Sequence, residues 1–219
     1  MSEDRFDVII VGAGPAGTVT GYVCAQAGLE VLIIERGDTP GSKNMSGGRL
    51  YGHSLEKIMP GFAAQAPVQR RVARETISML TPQSSFSLDF QSALLCGEGQ
   101  DSYTVLRAEF DQWLAAKAEE AGAVLAGNVR VDDLLRHNGR VSGVVAGPDE
   151  MAADIVVAAD GVNSLLAQKA GLKKELKPGQ VSVGVKEVMA LPQETINDRF
   201  GLKGDEGAAR LFVGEATKG

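Results

Sequence analysis

The sequence contains few residues of the kinds that build metal centres and disulfides. Among its 219 residues there are two cysteines, Cys24 and Cys96, and two histidines, His53 and His137. The cysteines lie far apart and form no CxxC pair, so we predict no metal site in this chain, and any iron–sulfur centre would belong to a partner. So few cysteines in a chain of this length also indicate a reducing compartment.

The sequence also lacks blocks of basic residues and long apolar stretches. The net charge is −6 and no block of five basic residues occurs, which argues against nucleic acid as a partner. No stretch approaches the ~20 apolar residues of a membrane helix, and the apolar run 8–11 is too short for a signal peptide. We therefore expect a cytoplasmic protein, although contact with a membrane surface is left open.

The chain begins with the pattern of a βαβ unit. Phe6–Val11 reads FDVIIV, a run rich in β-branched residues, which predicts a strand buried on both faces of a parallel sheet. Residues 15–27 predict a helix of small and apolar residues, with proline in its first turn and Gly28 after its last. Val31–Ile34 predicts the second strand.

A glycine fingerprint connects the first strand to the helix. It comprises Gly12, Ala13, Gly14, Pro15, Ala16 and Gly17. Gly12 permits the tight turn, Gly14 lets a pyrophosphate approach the backbone, and Gly17 lets the helix pack against the sheet. The helix N-terminus offers amides and a partial positive charge to phosphates.

An acidic residue stands where this fingerprint requires one. Glu35 ends the second strand, 18 residues after Gly17, where its carboxylate can accept hydrogen bonds from ribose hydroxyls and repel a 2′-phosphate. The alternative is a solvated residue at a strand end. The neighbouring Arg36 either packs on an adenine ring or lies in solvent.

Three further motifs are candidates for ligand contact. Asp160-Gly161 follows an apolar strand, where the aspartate caps the next helix or supplies a second carboxylate to the site. Arg107 precedes an amphipathic helix, where it contacts phosphate oxygens or remains a surface arginine. The loop containing Ser46, Gly47 and Gly48 suits close approach to a flat ring, and its alternative is an ordinary surface loop.

The remaining patterns predict a second set of strands and helices. Strands are predicted at 75–80, 86–90, 103–106, 124–126, 129–136, 141–146, 155–159, 181–188 and 210–213. Helices are predicted at 54–59, 109–121, 162–170 and 193–199. Turns at Asn138-Gly139 and Gly147-Pro148 indicate a β-meander.

Several stretches together resemble a known family. FDVIIVGAGPAG, VLIIERG, LRAEFDQWLAAKAEEAGA and IVVAADGVNS occur in the order found in FAD-dependent oxidoreductases of the geranylgeranyl reductase and aromatic hydroxylase type. GSKNMSGGRLY and VGVKEVMAL resemble the FixC-type flavoproteins, relatives of electron-transfer-flavoprotein–quinone oxidoreductase. The resemblance covers essentially the whole chain.

The resemblance implies FAD as cofactor and a role for each motif. Gly12, Gly14 and Gly17 would hold the pyrophosphate and Glu35 the adenosine ribose. Arg107 would contact FAD from the head of its helix, and Asp160 and Gly161 would form the family's Asp-Gly motif beside the cofactor. Ser46, Gly47 and Gly48 would approach the isoalloxazine. No catalytic residue is assigned, because the flavin supplies the reactivity.

The resemblance also implies a discontinuous domain arrangement. The expected fold is α/β, a Rossmann-like FAD-binding domain with a β-meander and part of an interleaved antiparallel substrate-domain sheet. Residues 1–50 and 103–171 would form the FAD-binding domain, and 51–102 and 172–219 an incomplete substrate or cap domain. Family members are longer and carry a later Gly-Asp-Ala motif, so the chain is expected to be an N-terminal fragment that binds FAD weakly or lacks turnover by itself.

By the same resemblance, the expected function is electron transfer through FAD. The partner would be a ferredoxin-like protein, an electron-transfer flavoprotein or a quinone. One alternative is a flavin-dependent reductase or hydroxylase of a small organic substrate, and another is a nucleotide-binding module without redox activity. Arg107 and Asp160 discriminate the last of these, because a module for NAD alone has no need of them. The oligomeric state is not determined by the sequence.

Overall fold

The computed structural model describes residues 5–42, 48–92 and 101–214. The chain divides into two compact units. The first consists of Met1–Asn44 and Ala108–Val181, and the second of Met45–Arg107 and Ser182–Gly219.

The described elements are strands, α-helices and 3₁₀ turns. The strands are β1 (Arg5–Val11), β2 (Val31–Ile34), β3 (Arg49–Tyr51), β4 (Val68–Leu80), β5 (Ser85–Gln91), β6 (Ser102–Val105), β7 (Val124–Ala126), β8 (Asp133–His137), β9 (Arg140–Ala146), β10 (Asp149–Ala158) and β11 (Glu206–Gly214). The helices are α1 (Pro15–Gln26), α2 (Gly52–Ile58), α3 (Arg107–Glu120), α4 (Leu165–Lys169) and α5 (Gln193–Phe200). Short 3₁₀ turns lie at Phe62–Ala64 and Pro178–Gln180.

The first unit is built on a sheet with the strand order β7-β2-β1-β10-β9-β8. Its first four strands are parallel, as the apolar run of β1 predicts. Side chains alternate between two cores because successive residues of a strand point to opposite faces. Ile10 and Ile33 join one core with Ala118 of α3. Ile9 and Ile34 join the other. The prediction of a parallel sheet buried on both faces is confirmed.

The β-meander is formed by β8, β9 and β10. Asn138 and Gly139 both have positive φ (51° and 79°), so two residues suffice for the turn between β8 and β9. β10 is longer than predicted, because its first half pairs antiparallel with β9 and its second half parallel with β1. The strand predicted at 129–136 begins only at Asp133, where pairing with β9 begins.

Two predicted elements in the last quarter of the chain differ from the structure. The helix predicted at 162–170 is confined to α4, because Ser164 adopts a left-handed conformation (φ 47°) that interrupts a helix. The strand predicted at 181–188 is wrong, since these residues have no regular structure. Their alternating valines match the strand period, but Val183 and Val185 are 95% and 90% exposed and no described strand pairs with them.

The second unit contains a sheet with the order β11-β4-β6-β3, and β5 also pairs with β4. β5 and β11 both pair with residues 74–80 of β4, so they lie at opposite edges of that strand. The pairs of β4 with β5 and β6, and of β3 with β6, are antiparallel as expected. β11 runs parallel to β4, so the sheet is mixed.

The described helices are short. The longest is α3, with 14 residues, several of them charged. Across residues 5–42, 48–92 and 101–214, no helix has both the length and the apolar composition needed to cross a bilayer.

Candidate functional site

The sequence motifs of the first unit meet at one edge of its sheet. β1, β2 and β10 are parallel neighbours, so their carboxyl ends lie side by side. The glycine turn follows β1, Glu35 follows β2, and Asp160 lies two residues beyond β10. In open α/β sheets, ligands bind at the carboxyl ends of the strands.

Two glycines of the turn are required by the protein's own packing. Gly12 has φ +108°, and a Cβ there would clash with the carbonyl oxygen of Ala159. A Cβ at Gly17 would clash with the carbonyl oxygen of Gly12 and lie 3.2 Å from Cγ2 of Ile10. These glycines therefore let α1 and the end of β10 approach the turn closely.

Gly14 differs, because nothing in the protein requires a glycine there. Its backbone is extended (φ −75°, ψ 176°), a conformation open to any residue. A Cβ at this position would meet no atom of the described residues within 4 Å. The space beside Gly14 is therefore open in the described part of the chain, which suits the close approach of a ligand's phosphate groups.

The N-terminus of α1 starts at this open position. Gly14 is the N-cap, no side chain caps the helix, and its first turn contains no acidic residue. Pro15 at the first position lacks an N–H, and the N–H of Thr18 donates to the carbonyl of Gly14 at 2.9 Å. The first turn of the helix therefore carries no carboxylate of its own to offset its partial positive charge, which suits an anion site.

The carboxylate of Glu35 connects β2 to the glycine turn. Its Oε2 accepts a hydrogen bond from the N–H of Ala13 at 3.0 Å, and its Oε1 accepts one from the N–H of Gly37 at 2.7 Å. Glu35 is partly exposed. A carboxylate has about four lone-pair sites, so two acceptor positions are left for hydroxyl donors.

Residues that sequence reasoning missed fix the backbone around Glu35. Its N–H donates to the carbonyl of Ala126, and its own carbonyl accepts from Val129 at 3.0 Å. Gly37 is required, since a Cβ there would lie 2.7 Å from the Ser42 hydroxyl and 3.1 Å from the Glu35 carboxylate. Asn128, with φ 59°, donates to the carbonyl of Gly37. The dipeptide Gly127-Asn128 follows a strand and is typical of a turn, so it could have indicated this contact from the sequence.

Asp160 acts as a cap in this structure. Its Oδ2 accepts a hydrogen bond from the N–H of Leu166 at 2.7 Å, in the first turn of α4. Gly161 has φ +77°, which an L-residue adopts with strain. The backbone of Asp160 also lies beside Gly12, because a Cβ on that glycine would be 3.4 Å from Cα of Asp160. The Asp-Gly motif thus borders the glycine turn.

Lys173, which no sequence motif indicated, stabilises the loop after Asp160. Nζ of Lys173 donates to the carbonyl of Val162 at 2.8 Å and to the hydroxyl of Ser164 at 3.0 Å. The hydroxyl of Ser164 donates in turn to the carbonyl of Gly161 at 2.6 Å. This loop is therefore held by side-chain bonds as well as by its cap.

The structure describes three of the other predicted contact residues, and two lie outside the described residues. Arg36 is exposed at the end of β2. Arg107 is the first residue of α3 and belongs to the second unit, as does Gly48, which is exposed and accepts the N–H of Val105. Ser46 and Gly47 lie outside the described residues. The contacts of these residues with a cofactor stay predictions.

A partly buried ion pair joins Arg49 and Glu75 in the second unit. The Arg49 guanidinium contacts the Glu75 carboxylate at 2.6 Å and donates to the hydroxyl of Ser102. It also stacks on the ring of Tyr51, 4.5 Å from the centroid. The hydrogen bond from Arg49 lowers the pKa of Glu75, against the opposing effect of burial.

Comparison with known proteins assigns a family to these features. Residues 5–199 match the family described as FAD binding domain. FixC of Escherichia coli K12 is 52% identical over all 219 residues, which cover 51% of its length. YdiS of the same organism, a probable electron transfer flavoprotein-quinone oxidoreductase, is 53% identical with the same coverage. The chain thus spans about half the length of these curated relatives.

The fold also has a counterpart among solved structures. A geranylgeranyl bacteriochlorophyll reductase-like protein from Thermoplasma acidophilum superposes with a TM-score of 0.64 at 29% sequence identity. The match covers 78% of this chain and 43% of that protein.

Proposed function

Because the chain belongs to the family of FAD-binding domains, with FAD as its cofactor, we propose that the carboxyl ends of β1, β2 and β10 hold that cofactor. The observation that carries this placement is Gly14, which has no steric reason to be glycine within the protein and stands at the uncapped N-terminus of α1. A diphosphate is the group that such a position accommodates.

The residues present fit the adenosine diphosphate part of FAD. The fingerprint from Gly12 to Gly17 would contact the pyrophosphate through backbone amides. Glu35 would accept hydrogen bonds from ribose hydroxyls, using lone pairs that Ala13 and Gly37 leave available. Its orientation is preset by those two backbone donors, so binding would order no further side chain at this point.

The contacts of the remaining motifs are part of the same proposal. Asp160 and Gly161 would border the cofactor from the loop after β10, supported by their position beside Gly12. Arg107 would contact FAD from the start of α3, Arg36 would pack on the adenine, and the loop containing Ser46, Gly47 and Gly48 would approach the flavin ring. These four assignments are supported by the resemblance of their motifs.

For the domain arrangement, we assign FAD binding to residues 1–50 and 103–171. The incomplete substrate or cap domain would be residues 51–102 and 172–219. The presence of the fingerprint, Glu35 and the Asp-Gly motif on a single sheet supports the first assignment. β4, β5 and β11 lie within the second assignment, and β3 and β6 cross its boundaries at residues 50–51 and 102–103.

The activity we propose is that of a FAD-dependent oxidoreductase acting in electron transfer. When bound, the flavin supplies the redox chemistry, and the protein supplies placement and surroundings. The supporting observation is the identity of 52–53% over the whole chain to FixC and YdiS. An electron-transfer flavoprotein, a quinone or a ferredoxin-like protein would be the partner.

The cofactor assignment is tested by titrating the purified chain with FAD, ADP and riboflavin in a calorimeter. We expect FAD and ADP to bind competitively, because the proposed site would contact the part that these ligands share. Riboflavin should bind at least tenfold more weakly than FAD. Binding of riboflavin as tight as that of FAD would contradict the placement at the glycine turn.

The electron-transfer assignment is tested on the FAD-loaded chain. After anaerobic reduction, it is mixed with ubiquinone-1 or with oxidised electron-transfer flavoprotein, and full-length YdiS is measured in parallel. Reoxidation by either acceptor, faster than that of free reduced FAD, is the expected result. An FAD-loaded chain that reacts with neither acceptor, but reduces a small unsaturated substrate, would favour the reductase alternative.

A further inference from the structure

A cavity of about 430 Å³ lies on the β-meander of the first unit. We call it the meander cavity and define it by one lining residue from each of four strands: Arg5, Leu135, Arg140 and Ala152. Arg5 begins β1, and the glycine turn follows the last residue of that strand, so about 20 Å of strand separate Arg5 from the turn. The meander cavity is therefore a different site from the proposed cofactor site.

The cavity forms where the strands carry small residues. Register aligns one residue from each of β1, β10, β9 and β8 in a row, in the order Arg5, Ala152, Gly143 and Leu135. Val144, the next residue of β9, is fully buried in the core, so the row of Gly143 points to the other face of the meander. A Cβ at Gly143 would clash with the carbonyl oxygen of Met151. The two middle residues of the row are thus the smallest, which leaves space between the side chains at its ends.

The hairpin of β8 and β9 contributes positive charge to the cavity. Pairing between β9 and β10 ends at Gly143 and Ala152, and the hairpin continues past that point. His137 and Arg140 stand directly opposite each other beside its turn, and both line the cavity, as does Arg136. Cross-strand partners have Cβ atoms about 5 Å apart. Two guanidinium groups and an imidazole therefore lie around one opening.

Arg5 and Arg140 differ in how their charges are matched. Nε of Arg5 donates to the carboxylate of Asp154 at 2.8 Å, and Asp154 also lines the cavity. Arg140 is exposed and, within residues 5–42, 48–92 and 101–214, its guanidinium has neither a hydrogen bond nor an ion pair. Its N–H donors are therefore available to a ligand.

Arg136 adds a second guanidinium whose charge has no carboxylate bound to it among the described residues. Its Nη2 donates to the carbonyl of Lys169 at 3.2 Å, a bond without an opposite charge. The carboxylate of Asp133, which Arg136 also attracts, is ion-paired with Lys169 at 3.2 Å. The described lining thus contains three arginines and one carboxylate, in a chain of net charge −6.

The composition of the lining indicates a class of ligand. Leu135, Val141 and Ala152 supply apolar surface, and the hairpin supplies the cations. A volume of about 430 Å³ is within the range of small-molecule sites. A phosphate group carries roughly two negative charges at pH 7 and three acceptor oxygens, which is enough for two guanidinium groups. A carboxylate has a single charge, which one arginine satisfies.

We propose that the meander cavity binds a small phosphate monoester whose organic group is apolar. The phosphate would lie between Arg136 and Arg140, within reach of His137. The organic group would lie against Leu135 and Ala152. The proposal involves no bound FAD and no residue of the proposed cofactor site, so it stands or falls separately from the proposed function.

The test follows the imidazole signals of the chain by NMR during a titration with phenyl phosphate, at constant pH and ionic strength. The sequence contains two histidines, His53 and His137, and His53→Gln assigns their signals. We expect the His137 signal to move and the signal of His53, which belongs to the second unit, to stay. Affinity for phenyl phosphate should exceed that for inorganic phosphate and for benzoate at least fivefold.

Three variants separate the contribution of charge from that of the cavity. Arg140→Gln should weaken the binding of phenyl phosphate at least tenfold, because it removes charge-assisted hydrogen bonds to the phosphate. Ala152→Met keeps every charge but places a longer side chain in the cavity, and it should weaken binding as much. The matched control is Arg130→Gln, because the side chain of Arg130 is 78% exposed and paired with Asp132 outside the cavity. This control should change affinity less than twofold.

Other results would overturn the proposal. Inorganic phosphate bound as tightly as phenyl phosphate would indicate a positive surface without a site for the organic group. Benzoate bound as tightly would assign the cavity to carboxylates. A hexaglutamate peptide that moves the His137 signal at a lower concentration than phenyl phosphate would assign this face to an acidic protein. A His137 signal that a large excess of phenyl phosphate leaves unmoved would show that the cavity does not bind this class of ligand.

Discussion

The carboxylate of Glu35 accepts the backbone N–H of Ala13, 22 positions earlier in the chain. This bond fixes the glycine turn relative to the end of β2 before any ligand binds. A residue chosen from the sequence as a ligand contact therefore also stabilises the protein. The two roles can be separated by experiment, because one is measured without the ligand.

Replacement of Glu35 by alanine should destabilise the ligand-free first unit. The N–H groups of Ala13 and Gly37 would lose a charged acceptor, which costs about 2 kcal/mol for a partly buried pair. Urea unfolding followed by the fluorescence of Trp113, the one tryptophan of the chain, measures this loss. FAD affinity should fall further, at least tenfold beyond the effect of stability.

Glu30→Ala is the control for this prediction. Glu30 precedes β2 and is exposed, so its replacement should change the free energy of unfolding by less than about 0.5 kcal/mol. If Glu35→Ala is as stable as Glu30→Ala without ligand, the bonds to Ala13 and Gly37 contribute nothing and the structural role is wrong.

Replacement by alanine should lower the stability of the ligand-free protein at Gly17 but not at Gly14. Gly17→Ala would place a methyl group against the Gly12 carbonyl and should destabilise the first unit by about 3 kcal/mol. Gly14→Ala has space for its methyl group and should change unfolding by less than about 0.5 kcal/mol. It should nevertheless weaken FAD binding at least tenfold, because the methyl group occupies the approach to the helix N-terminus.

Calorimetric titration of Gly14→Ala with FAD checks this, with Gly179→Ala as the matched control. Gly179 also has open space around it and no positive φ, but it lies in a 3₁₀ turn after α4. The control should bind FAD as the unchanged chain does. Unaltered FAD affinity in Gly14→Ala would remove the main support for placing the pyrophosphate there.

Two variants of Asp160 distinguish its role as the cap of α4 from its proposed contact with the cofactor. Asp160→Ala removes the acceptor for the N–H of Leu166 and should destabilise the loop and α4 by about 1 kcal/mol. Faster hydrogen exchange at the Leu166 amide would report this loss. Asp160→Asn keeps an acceptor oxygen, so it should preserve that protection.

The same two variants test the assignment to the cofactor site. If the carboxylate charge of Asp160 contributes to FAD binding, both variants bind FAD more weakly while ADP binding is largely retained. If Asp160→Asn binds FAD like the unchanged chain, the residue acts through the cap alone. Equal loss of FAD and ADP binding in both variants would contradict the assignment of Asp160 as a residue that FAD binding needs and ADP binding does not.

The ion pair in the second unit predicts a dependence of stability on pH. Arg49 lowers the folded-state pKa of Glu75, so the pair stabilises the folded state above the unfolded pKa of about 4.3. That stability is lost as pH falls from there through the lower folded value. The Glu75 side chain is 35% exposed, so solvent screening limits the contribution to about 0.5–1 kcal/mol.

Hydrogen exchange of the β4 amides in Glu75→Gln checks the sign of this effect. The variant should be less protected than the unchanged chain at pH 7 and equally protected near pH 3, after correction for the intrinsic exchange rate. Arg49→Gln should show the same pattern, and the double variant should add little to either single change. A difference that grows toward low pH would contradict the prediction.

Local patterns of the sequence were enough for the βαβ unit of the first unit, but not for the bounds of the helix predicted at 162–170. The apolar run of β1, the fingerprint and Glu35 predicted a parallel βαβ unit, because strand burial, turn geometry and helix capping depend on residues close in sequence. The turn at Asn138-Gly139 was equally local. Residues 181–188 show the limit of such patterns, since a strand needs a partner for its backbone groups.

The sequence by itself determined the family of this protein, its cofactor class and the residues of the fingerprint. The tertiary structure decided what those residues do to one another. It brought the carboxylate of Glu35 to the backbone N–H of Ala13, 22 positions earlier, and the backbone of Asp160 beside Gly12. These contacts join residues distant in the chain, and local sequence patterns do not encode which distant groups meet.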